Sequence, residues 1–237
     1  PEVRPAMTEA DPSDAMAERI AQKDQILEAA LVHAAFDGWS RRTLLQAAED
    51  AGFDATTARR LFPQGGDSLL AWLGDWADRR MIAAIDLEAL ALLPVRERIT
   101  KLVRTRIEVL DDHKEAMRRA ALIRGNPANL GTAGKALWRT VDRIWDAAGF
   151  PATREHGLSR YSRRATLATV LVTTILYWLE DISPDNEETW AFLDRRIEDV
   201  MRIGQVRGQL EGLLRNVPGV GLARRAGRGR GSAMAHK

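Results

Sequence analysis

The residues able to do acid, base or metal chemistry are few, and their spacing does not favour it. The chain has 237 residues, four histidines and no cysteine, which removes thiolate nucleophiles, thiolate metal sites and disulfides. None of His33, His113, His156 and His236 stands in a Glu-x-x-His pair, so a di-iron helix motif is missing. Asp111, Asp112 and His113 are consecutive and point in different directions on a helix. No P-loop, dinucleotide fingerprint or nucleophile elbow occurs. The expectation is a protein that is not an enzyme, with no catalytic residue, resident metal or cofactor.

What remains is apolar and cationic chemistry. Arg163 and Arg164 precede an uncharged run from Ala165 to Leu179. Such a pair can hold an anionic head group, or it can pair with Asp or Glu at a helix junction. The run is shorter than the ~20 residues a spanning helix needs, so it reads as a buried core helix. Leu102, Ile107, Leu110, Met117, Trp138, Val141, Leu171, Ile175 and Trp178 are candidates to line a central cavity for an isoprenoid chain. Burial of apolar surface is worth about 25 cal/mol per Å², so a hydrocarbon tail needs no polar contact to bind. The same residues also read as an ordinary filled core.

The elements that would place these residues are all helical. No segment alternates β-branched and polar residues over a strand's length. A flexible leader is expected over 1–19, then short helices around Ile26–Ala34, Arg41–Ala51 and Ala55–Leu61, punctuated by Gly38, Gly52 and Pro63-Gln64-Gly65-Gly66. Further apolar stripes run through Leu69–Ile82, Ile99–Leu110, Leu137–Ala148 and the 165–179 run. Ser183-Pro184 is expected to open the next helix, with Ser as cap and Pro at the first helical position. Phe192 lies off that helix's buried stripe and is a candidate to face a partner. These elements divide into a helix-turn-helix-like unit over 20–80, a larger bundle over 81–202, an amphipathic helix over 203–217 and a basic tail over 218–237.

The amphipathic helix carries Ile203, Val206, Leu210, Leu213, Leu214 and Val217 on one face. Gly204, Gly208 and Gly212 weaken it by about 1 kcal/mol each relative to Ala. It is expected to form where that face meets a surface, whether its own body, a partner or a bilayer. No acidic residue follows Glu211, whereas Arg215, Arg224, Arg225, Arg228, Arg230 and Lys237 do, which suits an anionic leaflet.

Two resemblances add to this. The short helices from Ile26 to Leu61, followed by Phe62-Pro63 and Asp67-Ser68-Leu69-Leu70, resemble the TetR family. Under that reading Arg59 and Arg60 would meet DNA phosphates. Gln64, Gly65 and Gly66 replace the lysine usual after Phe-Pro, however, and Glu49, Asp50 and Asp54 repel phosphate. A TetR-type repressor sensing a small apolar ligand is therefore the alternative function, with DNA an unlikely partner. More of the chain resembles the coenzyme Q biosynthesis accessory family, the ninth Coq protein family. The residues concerned are Ile26-Leu27-Glu28-Ala29-Ala30-Leu31, Gly38-Trp39, Tyr161-Ser162-Arg163-Arg164-Ala165 and Thr173-Thr174. Asp181-Ile182-Ser183-Pro184-Asp185, Thr189-Trp190-Ala191-Phe192-Leu193 and Arg195 through Gly204 complete the match.

That resemblance implies an all-α, TetR-like helical bundle, a homodimer and a pocket holding an isoprenoid quinone or a phospholipid. It implies presentation of a prenylated quinone intermediate to the demethoxyubiquinone hydroxylase, with Asp142, Ile144, Trp145 and Tyr161 facing that partner. Arg160 stands where animal relatives carry an aromatic residue. The 203–217 helix would be the membrane-binding element. The expected location is the bacterial cytoplasm, peripheral to the inner membrane, or the mitochondrion in a eukaryote.

Overall fold

The computed structural model describes residues 12–151 and 158–215, with the backbone alone described at 158–160, 201 and 203–215. All regular structure among the described residues is helical. The first helix, α1 (Pro12–Asp37), reaches back into the segment expected as a leader. A proline fits the first helical turn because its missing N–H has no partner to lose there. Ile26, Leu27, Ala30, Leu31 and Ala34 form its buried face.

The next two helices, α2 (Arg41–Asp50) and α3 (Ala55–Leu61), begin at side-chain caps. Ser40 Oγ accepts from Thr43 N, and Asp54 Oδ1 accepts from Thr57 N at 2.7 Å. These bonds satisfy amides that a helix start leaves free. After them comes α4 (Gly66–Ala83), whose first residue packs directly on the loop before α2. A Cβ at Gly66 would lie 2.3 Å from Trp39 O, a distance no side chain tolerates. The glycine expected as a breaker is thus the point where α4 seats on the helix-turn-helix-like unit.

The larger bundle contains α5 (Leu87–Ala91), α6 (Val95–Glu108), α7 (Lys114–Arg124), α8 (Leu130–Ala147), α9 (Leu158–Glu180) and α10 (Glu187–Arg215). A single apolar cluster runs from Ile26 on α1 to Ile197 on α10, so both units share one core. Within it α7 joins two ends of the molecule. Ala116 O on α7 accepts from Trp39 Nε1 at 3.0 Å, and Arg119 Nε donates to Ala35 O at the end of α1. Toward the other end, Lys114 Nζ donates to Asp181 O at 2.8 Å and Arg118 donates to Leu179 O. These cations meet the free carbonyls that helix ends leave.

The turn between α9 and α10 differs from the expected simple cap. Pro184–Asn186 form a 3₁₀ turn in which Asp185 and Asn186 adopt φ of 50° and 55°. Helix α10 therefore starts at Glu187. Capping is shared: Ser183 Oγ accepts from Glu188 N, and Asp181 accepts from Ser183 N and Thr189 N, each at 2.8 Å. Asn186 is buried, bonded to Lys114 Nζ and Asp111 Oδ1, which holds its left-handed backbone in place. Burial opposes ionisation of Asp181, but hydrogen bonds from Ser183 and Thr189 outweigh it and hold its pKa at about 2. No described helix is long and apolar enough to cross a membrane.

Candidate functional site

The surface built by α8 and α9 brings together most of the residues expected to face a partner. Trp138, Asp142 and Trp145 recur along one side of α8, and Tyr161 lies in the first turns of α9. Tyr161 is exposed and stacks on Trp138, with ring centroids 6.2 Å apart. Trp145 is half-buried, meets Phe150 edge-on at 5.7 Å and lies beneath the Arg163 guanidinium. Its indole Nε1 is enclosed and has no hydrogen-bond partner among the described residues. One expectation is corrected here, and one of two alternatives is decided. Ile144 is 0% exposed and packs in the core, so it supports the α8 surface from beneath without touching a partner. Asp142 is held by Arg164, which is itself 0% exposed. Arg164 is thus a helix-junction arginine that spans α8 and α9, and it does not present its charge to a head group.

The nine residues proposed for a central cavity divide differently. Leu102, Ile107, Leu110, Met117, Val141, Leu171 and Trp178 are buried in the common core, and Ile175 packs against it. Trp138 stands outside that cluster in its stack with Tyr161. Trp178 also donates from Nε1 to Asp111 Oδ1 at 2.9 Å. The buried ones of the nine belong to the apolar cluster that both units share.

Phe192 stacks on Tyr177 with centroids 4.5 Å apart and Arg196 above it. Its position off the α10 stripe is thus taken up by a contact between α9 and α10. Arg59 and Arg60 are exposed in the last turn of α3. On α10, Ile203, Val206, Leu210, Leu213 and Leu214 have helical backbone, but their side chains lie outside the described residues, as do Val217, the 218–237 tail, His156 and His236.

A cleft of about 490 Å³ opens between α4, α5 and α8. Ile82, Ala83, Leu87 and Ala147 give it apolar walls, while Asp78, Arg79, Arg143 and Asp146 stand around them. Asp78 is buried, accepting from Arg106 Nε at 2.6 Å and from Thr140 Oγ1 at 3.0 Å. Arg143 donates to Asp75 Oδ1 at 2.6 Å, and Arg79 makes a two-pronged pair with Asp24. Sequence reasoning missed this place. Its one local sign is Leu87, a large apolar residue flanked by Asp86 and Glu88, which is 46% exposed.

The arrangement of a small three-helix unit seated by α4 on a larger bundle defines the class: an all-α, TetR-like protein. A TetR transcriptional regulator from Nitrosomonas europaea shares the fold, with a TM-score of 0.61 and 23% identity, over 75% of this chain and 97% of that one. Within that fold the sequence points to a narrower relationship. Residues 130–204, covering α8, α9 and the start of α10, match the COQ9 family model. The human mitochondrial ubiquinone biosynthesis protein COQ9 is 30% identical over 194 residues, 79% of this chain and 60% of its own length. Its Drosophila melanogaster counterpart is 27% identical over 193 residues, 80% of this chain and 58% of its own length. The resemblance to the ninth Coq protein family holds, on a TetR-like scaffold. The chain spans about three-fifths of the length of these curated relatives.

Proposed function

We propose that this protein is an accessory factor of ubiquinone biosynthesis. It binds a prenylated quinone intermediate and presents it to the demethoxyubiquinone hydroxylase at a membrane surface, without catalysing a step itself. The observation that carries this reading is the likeness to COQ9 proteins along about four-fifths of the chain, with the family match falling on the α8–α9 surface. Trp145 and Tyr161 supply that surface with the aromatic area that protein contacts favour, and the Arg164 ion pair with Asp142 fixes the two helices that carry them.

A homodimer through the outer face of α9 fits the same reading. Ala165, Thr169, Val172 and Leu176 form an exposed uncharged stripe there. The Thr169 and Thr173 hydroxyls donate to carbonyls of their own helix, leaving methyl groups to meet a second copy. Membrane contact is assigned to α10 beyond residue 202, and the bound molecule to an isoprenoid quinone or phospholipid.

The experiment is deletion of the gene in its host with quinones quantified by mass spectrometry. The expected result is accumulation of demethoxyubiquinone with loss of ubiquinone, restored by the wild-type chain. An unchanged quinone profile would overturn the reading.

A further inference from the structure

We propose that Arg124 and Arg139, with the room beside Gly74, form a binding site for a compact oxyanion of the phosphate class. Such a site stands apart from the quinone-handling reading and does not depend on it.

The first observation is an unbalanced charge. Arg124 ends α7 and is half-buried. Its Nη2 donates to Leu70 O on α4 at 2.8 Å, and it makes no ion pair among the described residues. Other enclosed arginines are matched. Arg79, Arg106 and Arg164 face carboxylates, and Arg98 donates to the carbonyls of Leu93, Ala148 and Ala91. Asp78 is the carboxylate whose charge reaches Arg124, but its oxygens already accept from Arg106 and Thr140, with Arg143 3.7 Å away. Arg106 and Arg124 thus share a single interior carboxylate. Burial, and then repulsion from Arg106 and Arg139, hold the Arg124 pKa below its ordinary value, the sign of a cation short of counter-charge. Burying a charge without such a partner is costly, and a bound anion removes the excess.

The second is room. Gly74 is buried on α4, yet a Cβ built on it would meet Arg124 Nη2 at 4.0 Å and no atom of another element as near. The guanidinium therefore borders open space one turn from Asp78.

The third is the local field. From Ala116 to Val141 there is no Asp or Glu, while Arg118, Arg119, Arg124, Lys135 and Arg139 lie there. Glu115 serves Arg118 and Arg119. Lys135 and Arg139, on α8, are exposed and make no ion pair among the described residues. Arg139 is near enough for its charge to act on Arg124. Two guanidiniums suit a tetrahedral dianion, whose oxygens take forked N–H···O bonds from both. A carboxylate balances one of them, and chloride offers no forked geometry.

The test is calorimetric titration and thermal unfolding of the full chain with inorganic phosphate, against sodium chloride at equal ionic strength. Phosphate is expected to bind and to raise the unfolding midpoint, because it favours the folded state. Arg124→Gln is expected to weaken phosphate about tenfold, the scale of a charge-assisted hydrogen bond. Arg139→Gln, at an exposed position, is expected to weaken it about threefold, with the midpoint in chloride unchanged. If Arg124→Gln fails to fold, Arg139→Gln decides alone. Dihexanoyl phosphatidic acid is the second probe. Affinity at least tenfold above that of phosphate, weakened by the same variants, assigns the site to a lipid head group; equal or lower affinity assigns it to free phosphate, and both support the site. Failure of both probes to bind the wild type, or affinities that Arg139→Gln leaves at the wild-type value, would overturn it. A midpoint rise shared in full by the variants is a general effect of phosphate on protein surfaces and would overturn it too. The quinone-handling reading fails separately, by an unchanged quinone profile in the deletion strain.

Discussion

Two buried carboxylates hold this molecule together by opposite means. Asp181, at the corner between α9 and α10, is satisfied by its sequence neighbours Ser183 and Thr189. Asp78, on α4, is satisfied by Arg106 and Thr140, which are 28 and 62 positions away. The first organises a turn and replaces missing helix-end partners. The second ties three helices, α4, α6 and α8, through one charge in the interior. A local cap resists the fraying of one junction. A distributed ion pair fixes the spacing of the bundle, and with it the walls of the cleft. The difference also sets the penalty for damage, because a stranded interior charge is far more costly than a vacant cap.

Replacing Asp78 should therefore have the largest effect. Asp78→Ala leaves Arg106 buried without its partner and is expected to lower the unfolding free energy by about 3–5 kcal/mol, read by urea denaturation. The double variant Asp78→Leu with Arg106→Met removes both charges and should be more stable than Asp78→Ala alone. A double variant no better than the single one would show that spacing, and not the stranded cation, sets the loss.

Asp181→Ala comes next, with an expected loss of about 2 kcal/mol, because the hydrogen bonds from Ser183 N, Thr189 N and Thr189 Oγ1 disappear but water reaches the edge of the turn. Its pH dependence sharpens the contrast. The folded pKa of Asp181 lies below its ordinary value of 3.8, at about 2. Its stabilisation is thus complete above the ordinary value and is lost as pH falls through the folded one. The stability gap between wild type and Asp181→Ala should accordingly shrink between pH 3.8 and about 2. A gap constant across that interval would break the assignment.

Trp178→Phe should give the smallest change. It removes the Nε1 donor to Asp111 while keeping most of the buried ring. The expected cost is about 1 kcal/mol by thermal or urea unfolding, since exposed Asp111 can turn to water. A loss as large as that of Asp181→Ala would mean that the indole, and not the carboxylate, is the main tie at the corner.

The same difference in range explains what the sequence revealed. The corner was legible because Asp181, Ser183, Pro184, Thr189 and Trp190 lie within a few turns of one another, and capping chemistry has short, fixed offsets. Even there the two left-handed residues were missed, since Asn186 takes that conformation with the help of Lys114 and Asp111, which are distant in sequence. The helical class followed from the apolar periodicity of α4, α6, α8 and α9. The Asp78 network and the cleft beside it were invisible, because no local pattern pairs a residue on α4 with residues on α6 and α8. Ile144 was placed on the surface by resemblance, although its own spacing with Val141 and Ala148 already put it on the buried stripe. Pairing of Arg164 with an acidic residue at a helix junction was one of two readings of the sequence, while its partner, Asp142 on α8, needed three dimensions.

Helix α10 extends over 29 residues from the corner, a rod of roughly 43 Å at 1.5 Å per residue. Its first turns are clamped in the common core by Trp190, Leu193 and Ile197. A ten-degree difference in the direction they set would move the backbone at its distal tip, residue 215, by about 7 Å on the same helical geometry. Lys114 and Asp111, residues of another segment, share in setting that aim through Asn186.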